Sequence, residues 1–138
     1  FLVVAVNDGP TRETSLPSVA ALSRLFGIQP WFVQVAPPTP VLGTSLERST
    51  ETALVHRLAS ELRELHLDAQ WDMLHGRAVP ETIIDFTASM DGGIIAVASE
   101  RWAAEDRIHW SSTARSLVHR SPFPVLVVPL HRHATSAA

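Results

Sequence analysis

The chain has 138 residues, 46% hydrophobic and 18% charged, with a formal charge of −3, which suits one compact domain and is too apolar for a disordered tail. Its apolar runs are strand-length and it carries no basic tract, so neither a membrane nor a nucleic acid is an expected partner. It contains no Cys, and its 11 basic residues are all Arg, which excludes disulfides, thiol nucleophiles, the Lys of a Walker-type phosphate loop and a Schiff-base Lys.

Residues 1–6 are a Val-rich apolar run that reads as a buried strand, with no charged leader visible before it; a cytoplasmic location is the default expectation and the lack of Cys fits either side of a membrane. Asn7, Asp8, Gly9 and Pro10 supply turn chemistry. Leu16, Val19, Ala20, Ser23 and Phe26 then follow helical spacing, with Ser15 placed as N-cap, Pro17 in the first turn and Gly27 as the stop. Residues 30–35 read as a second strand, and the Pro-rich stretch 36–40 as an extended loop. A long helix is predicted over 46–65, with Leu54, Leu58, Leu62 and Leu65 as its apolar stripe and Arg57 and Glu61 as a surface pair. Residues 68–75 give a third strand in which Ala69, Trp71, Met73 and His75 alternate with polar or exposed neighbours, and Gly76 ends it. Pro80 and Glu81 open a helix carrying Ile83, Ile84, Thr87 and Met90. Gly92 and Gly93 turn the chain into a fourth strand over 94–98, and a polar loop follows. Ser111 or Ser112 caps a short helix through Ala114, Leu117 and Val118, and 124–128 is the last strand. Strands alternating with helices predict a single α/β domain over 1–130, with five strands and four helices, followed by a flexible tail over 131–138.

In such a sheet, ligands bind beyond the carboxyl ends of the strands, where strand order reverses. The loops to inspect are therefore 7–14, 36–45, 76–79 and, above all, 99–111. A phosphate site wants glycines that let the backbone close on the anion. The six glycines stand at 9, 27, 43, 76, 92 and 93, so no glycine-rich loop precedes the last helix.

The stretch Val3-Val4-Ala5-Val6-Asn7-Asp8-Gly9-Pro10 resembles the opening strand and turn of the universal stress protein family. Ser121-Pro122-Phe123-Pro124-Val125-Leu126-Val127-Val128-Pro129 is similar to its closing strand, and Gly76 and Ile94-Ile95-Ala96-Val97-Ala98 fall where the family has corresponding elements. The resemblance covers essentially the whole chain. It implies a three-layer α/β sandwich with a five-stranded parallel sheet in the order 3-2-1-4-5. It also implies a nucleotide site, since some members bind ATP through the pattern G-x2-G-x9-G-[ST] after the fourth strand. The matching positions here are Ala98, Arg101, Ser111 and Ser112, so all three glycines are replaced and only the hydroxyl of Ser112 is kept. The family's acidic residue at the end of the first strand is matched by Asn7, with Asp8 one position on, and Val35 matches an adenine-side hydrophobe. Ser99 lies within the altered loop. Arg101 places a Cβ where the backbone would close on phosphate, although its guanidinium is itself a phosphate partner. The ordinary ATP geometry is expected to be lost.

The closing strand is apolar on both faces. At the edge of a 3-2-1-4-5 sheet, it invites pairing with a second copy, so a homodimer through Val125, Leu126, Val127 and Val128 is expected, as the resemblance also implies. Trp102 and Trp110 flank the altered loop, where they either fill the vacated cleft, form a surface for a protein partner, or pack against the last helix. No catalytic constellation stands out: there is no G-x-S-x-G elbow and no H-E-x-x-H helix. His131 with His133, Glu61 with Glu64, and Glu105 with Asp106 read as solvated groups. Three readings remain. The leading one is a regulatory stress protein that binds and dimerises without cofactor or turnover. The alternatives are an adenine-nucleotide binder using Mg and ATP with slow hydrolysis, and an unrelated metal- or small-ligand-binding α/β domain.

Overall fold

The computed structural model describes residues 1–6, 16–36, 45–101, 108–109 and 112–130, with backbone alone at 45–52, 99–101, 108–109, 112 and 129–130. In chain order the elements are β1 (Leu2–Ala5), α1 (Leu16–Phe26), β2 (Pro30–Ala36), α2 (Ser45–Glu64), β3 (Gln70–His75), α3 (Val79–Ser89), β4 (Ile94–Arg101), β5 (Ile108–His109), α4 (Ser112–Arg120) and β6 (Val125–Leu130). Five strands pair in parallel in the order β3-β2-β1-β4-β6, which is the expected 3-2-1-4-5 arrangement.

β5 is an addition to the expected pattern. It pairs antiparallel with the end of β4, Glu100 opposite His109 and Arg101 opposite Ile108. Glu100 is also opposite Leu130 of β6. The two partners must therefore flank β4 on opposite sides, which places β5 in the lane that β1 occupies further down.

Period-2 alternation divides the side chains of each strand between two cores. On one face Leu2, Val4 and Phe32 pack with Val19 and Ala20 of α1 and with Leu54, Val55, Leu58, Ala59 and Leu62 of α2. On the other, Val3, Val33, Ile95 and Val97 pack with Ile83 of α3 and with Ala114 and Leu117 of α4. β1 and residues 94–98 of β4 are apolar on both faces because helices cover both, whereas the edge strand β3 carries Gln70, Asp72 and His75.

Helix ends account for three departures from the predicted stripes. Leu65 lies just past α2, where His66 turns the chain at a φ of 62°, and it is half exposed instead of closing the stripe. Phe26, the last residue of α1 before Gly27 at a φ of 61°, and Val118 near the end of α4 are also exposed. Two other glycines explain close approaches. A Cβ at Gly76 would overlap Thr82 Oγ1, and one at Gly93 would stand 2.6 Å from the carbonyl oxygen of Phe1. Among the described residues, no helix is long and apolar enough to cross a membrane.

Candidate functional site

The order of the parallel strands reverses between β1 and β4, so the carboxyl ends of β1, β2 and β4 mark the place for a ligand. A cavity of about 160 Å³ lies there, lined by Ala5, Val6, Val33, Gln34, Val35, Val79, Ile83 and Thr113. Ala5, Val33 and Val35 face the α3 and α4 side of the sheet, and Val33 and Ile83 are fully buried. α3 contributes Val79 from its first turn, and α4 contributes Thr113, its second residue.

Two helices thus begin at one cavity. The N-cap of α3, Ala78, is extended and has no side-chain cap, and Pro at the helix start matches the fixed φ wanted there. Thr82 closes the first turn on the carbonyl of Ala78 by both its amide (3.0 Å) and its hydroxyl (2.7 Å). Helix N-termini carry partial positive charge, so the rim formed by α3 and α4 favours an anionic or electron-rich group. Glu81 offsets some of that at α3, and it accepts a hydrogen bond from Arg120 Nη1 at 2.6 Å, which ties α3 to α4.

The expected site residues fall into three groups. Val35 lines the cavity, as anticipated. Asn7, Asp8 and Ser111 lie outside the described residues, as do Trp102, Trp110, His131 and His133. Ala98, Ser99 and Arg101 belong to β4, and Ser112 is the first residue of α4. The fourth strand was expected to end at 98 and give way to a loop. Instead β4 continues to Arg101, opposite Val128, Pro129 and Leu130 of β6, with β5 joining on its other side. The first two positions of the expected phosphate pattern are therefore part of a β-ladder.

Val79 closes the 76–79 loop marked for a ligand, whereas Ala5, Val6, Val33, Gln34, Ile83 and Thr113 were not expected at the site. The available signal was positional: two-residue spacing at the ends of the first two strands and the first turns of the last two helices. Among the described residues, no three His, Asp or Glu side chains gather where they could hold a metal ion. Glu61 stands 3.8 Å from Arg57 on the outer side of α2, far from this cavity. Val125, Leu126 and Val127 of β6 are half-buried and Val128 is buried. Among the described strands β6 pairs with β4 alone, so its far side is a sheet edge.

Comparison with known proteins agrees with this architecture. No curated protein matches the chain in sequence. A universal stress protein from Archaeoglobus fulgidus is similar in structure, with a TM-score of 0.75 and 21% identity over 91% of this chain and 96% of that one. The universal stress protein from Archaeoglobus fulgidus in complex with dAMP gives a TM-score of 0.71 at 21% identity, over 91% of this chain and 94% of that one. A universal stress protein in complex with cAMP gives 0.69 at 8% identity, over 94% of this chain and 97% of that one. The model of the universal stress protein family matches residues 2–129, and the chain belongs to that family.

Proposed function

We propose that the chain is a regulatory stress protein that acts by binding and by pairing with a second copy, without the ordinary grip on Mg-ATP and without turning over a substrate. The observation that carries this reading is the continuation of β4 through 98–101, paired to β6 and β5. A phosphate loop needs backbone N–H groups free to curve around an anion, and a strand paired on both sides commits them to its neighbours. The replaced glycines point the same way. So does the cavity of about 160 Å³, since drug-sized ligands occupy pockets of roughly 300–1,000 Å³. Ala5, Val33, Val35 and Val79 of its lining can pack against an adenine ring, with Gln34 and Thr113 as polar neighbours; adenine is a part of the ligand that the relatives complexed with dAMP and cAMP share with ATP.

The second reading, an ATP binder with a modified loop and slow hydrolysis, draws on α4 beginning at Ser112 and on the two helix starts at the cavity. Thermal unfolding with Mg-ATP, ADP, AMP and cyclic AMP separates the two. A ligand present at 100 times its dissociation constant stabilises by about 2.7 kcal/mol, which moves the midpoint by several degrees. Under the first reading AMP or cyclic AMP shifts the midpoint at least as far as ATP, or none of them does. A shift that grows from AMP to ATP overturns it.

Pairing through Val125, Leu126, Val127 and Val128 follows from an apolar strand at an edge that natural sheets usually cover. An isologous antiparallel pairing covers it in both copies at once. Sedimentation at micromolar concentration is expected to give a dimer, and a monomer contradicts this part of the reading.

A further inference from the structure

The lane beyond the end of β1, beside β4, is taken by β5. Ala5, the last paired residue of β1, is opposite Val97, and His109 of β5 is opposite Glu100, three residues further along β4. At about 3.3 Å per residue, pairing on this side of β4 resumes roughly 10 Å beyond β1. β5 runs antiparallel to β4, so at His109 the chain is directed back towards the end of β1. It enters α4 at Ser112, and Thr113, four residues after His109, lines the cavity. The backbone of β5 thus stands over the crevice between β1 and β4, joined to the cavity wall by a short run of chain.

The hydrogen bonds that hold β5 follow from the alternation of strand backbone, in which successive residues direct their N–H and C=O groups to opposite sides. In β4 the amide of Ile94 donates to the carbonyl of Phe1, on the β1 side, and that of Ile95 donates to the carbonyl of Pro124, on the β6 side. Ser99 and Arg101 therefore direct their amides to β6, and Ala98 and Glu100 direct theirs to the lane of β1 and β5. Of the two β4–β5 pairs, Glu100 with His109 is the one that exchanges hydrogen bonds, and Arg101 with Ile108 is the unbonded one. Among the described strands β5 pairs with β4 alone, through this single bonded pair, and a pairing so short is marginal.

We propose, on the reading that residues 98–101 form a paired strand, that β5 decides which ligand the site accepts. It is a strap whose bonded pair with Glu100 keeps phosphate groups from the starts of α3 and α4, while the cavity beneath it remains available to an uncharged nucleoside. Of the four amides at 98–101, that of Glu100 alone depends on β5. Release of the strap frees this amide beside the start of α4, and both favour an anion. The closed strap selects against charge and the released strap selects for it.

Calorimetric titration of the full chain with adenosine and with AMP, which differ only by the phosphate, tests it, alongside amide hydrogen exchange and circular dichroism. His109→Pro removes the N–H that donates to the Glu100 carbonyl. Ile108→Pro places the same ring where the N–H points away from β4, and His109→Ala changes the side chain while keeping the backbone pair. In the wild type AMP is expected to bind no more tightly than adenosine. In His109→Pro the Glu100 amide exchanges faster, while those of Ser99 and Arg101 stay protected by β6. AMP then gains about five- to hundredfold over adenosine, the factor set by releasing two backbone hydrogen bonds. Ile108→Pro and His109→Ala keep the wild-type ratio. Should the proline variant fail to fold, His109→Gly weakens the strand without a ring and is read in the same way. Faster exchange at Glu100 with no gain for AMP overturns the strap and leaves the paired strand intact. The strap is also overturned by a Glu100 amide indifferent to His109→Pro, by equal gains for adenosine and AMP, by the same gain in either control, by a wild type that already prefers AMP, or by neither ligand binding any variant. Fast exchange at Ser99 and Arg101 in the wild type overturns the paired strand itself, and the strap with it.

Discussion

The two ends of the sheet are built to different plans. At the amino end the starts of the strands are tied together by backbone. The carbonyl of Phe1 accepts from the amide of Ile94 at 2.9 Å, the amide of Ile95 donates to Pro124 at 2.9 Å, and Gly93 is bare so that Phe1 can lie against it. Trp31 fills the space below α3, edge-on to Phe1 at 5.6 Å and to Phe86 at 6.1 Å. At the carboxyl end β1 stops at Ala5 while β4 runs four residues beyond the partner of Ala5, and a cavity remains between the strand ends and the two helix starts. The closed end holds the fold and tolerates little. The open end contributes less to stability and is where binding is decided.

Substitutions at the two ends test that contrast. Trp31→Ala removes the centre of the aromatic cluster and is expected to cost about 3–5 kcal/mol in chemical denaturation, with the response of the remaining folded protein to nucleotides unchanged. Gly93→Ala puts a methyl group 2.6 Å from the Phe1 carbonyl. Backbone must shift to admit it, so a loss of about 1–3 kcal/mol is expected. At the open end Val35→Phe grows into existing space and should change stability by less than about 1.5 kcal/mol, while removing any midpoint shift produced by AMP or cyclic AMP. A large stability loss from Val35→Phe, or an unaltered ligand response, would erase the distinction between the ends. Arg120→Ala breaks the link to Glu81, whose side chains are 65% and 45% exposed. An exposed pair contributes about 0.2–1 kcal/mol, so the smallest effect of the four is expected here.

The same contrast separates what the chain's residues announce from what they do not. Alternating Val-rich runs and helical stripes identify the five parallel strands and the four helices, because burial on both faces imposes those patterns locally. Leu54, Leu58 and Leu62 are buried as their spacing demands, whereas Leu65, at the next position of the stripe, is exposed because the helix has already ended. Val55 and Ala59 are buried too, although the stripe omitted them, because α2 packs a wider face than its leucines mark. Ser99, Glu100 and Arg101 read as loop by polarity, yet they are strand, because pairing with β6 and β5 is set by chain segments distant in sequence. The two-residue β5 is too short to leave a periodic signature at all. Val35 was legible in the site through the family resemblance and Val79 through its place in a loop beyond a strand's carboxyl end, while Thr113 and Ile83 reach the cavity only through the way α3 and α4 lie on the sheet.

The central claim is that residues 98–101 form a paired strand in place of a phosphate-wrapping loop. Amide hydrogen exchange at those residues, with and without millimolar Mg-ATP, tests it most directly. The account predicts amides that are already protected in the free protein and unaltered by the nucleotide. Fast exchange in the free protein that Mg-ATP slows would contradict it and would make this a nucleotide loop after all.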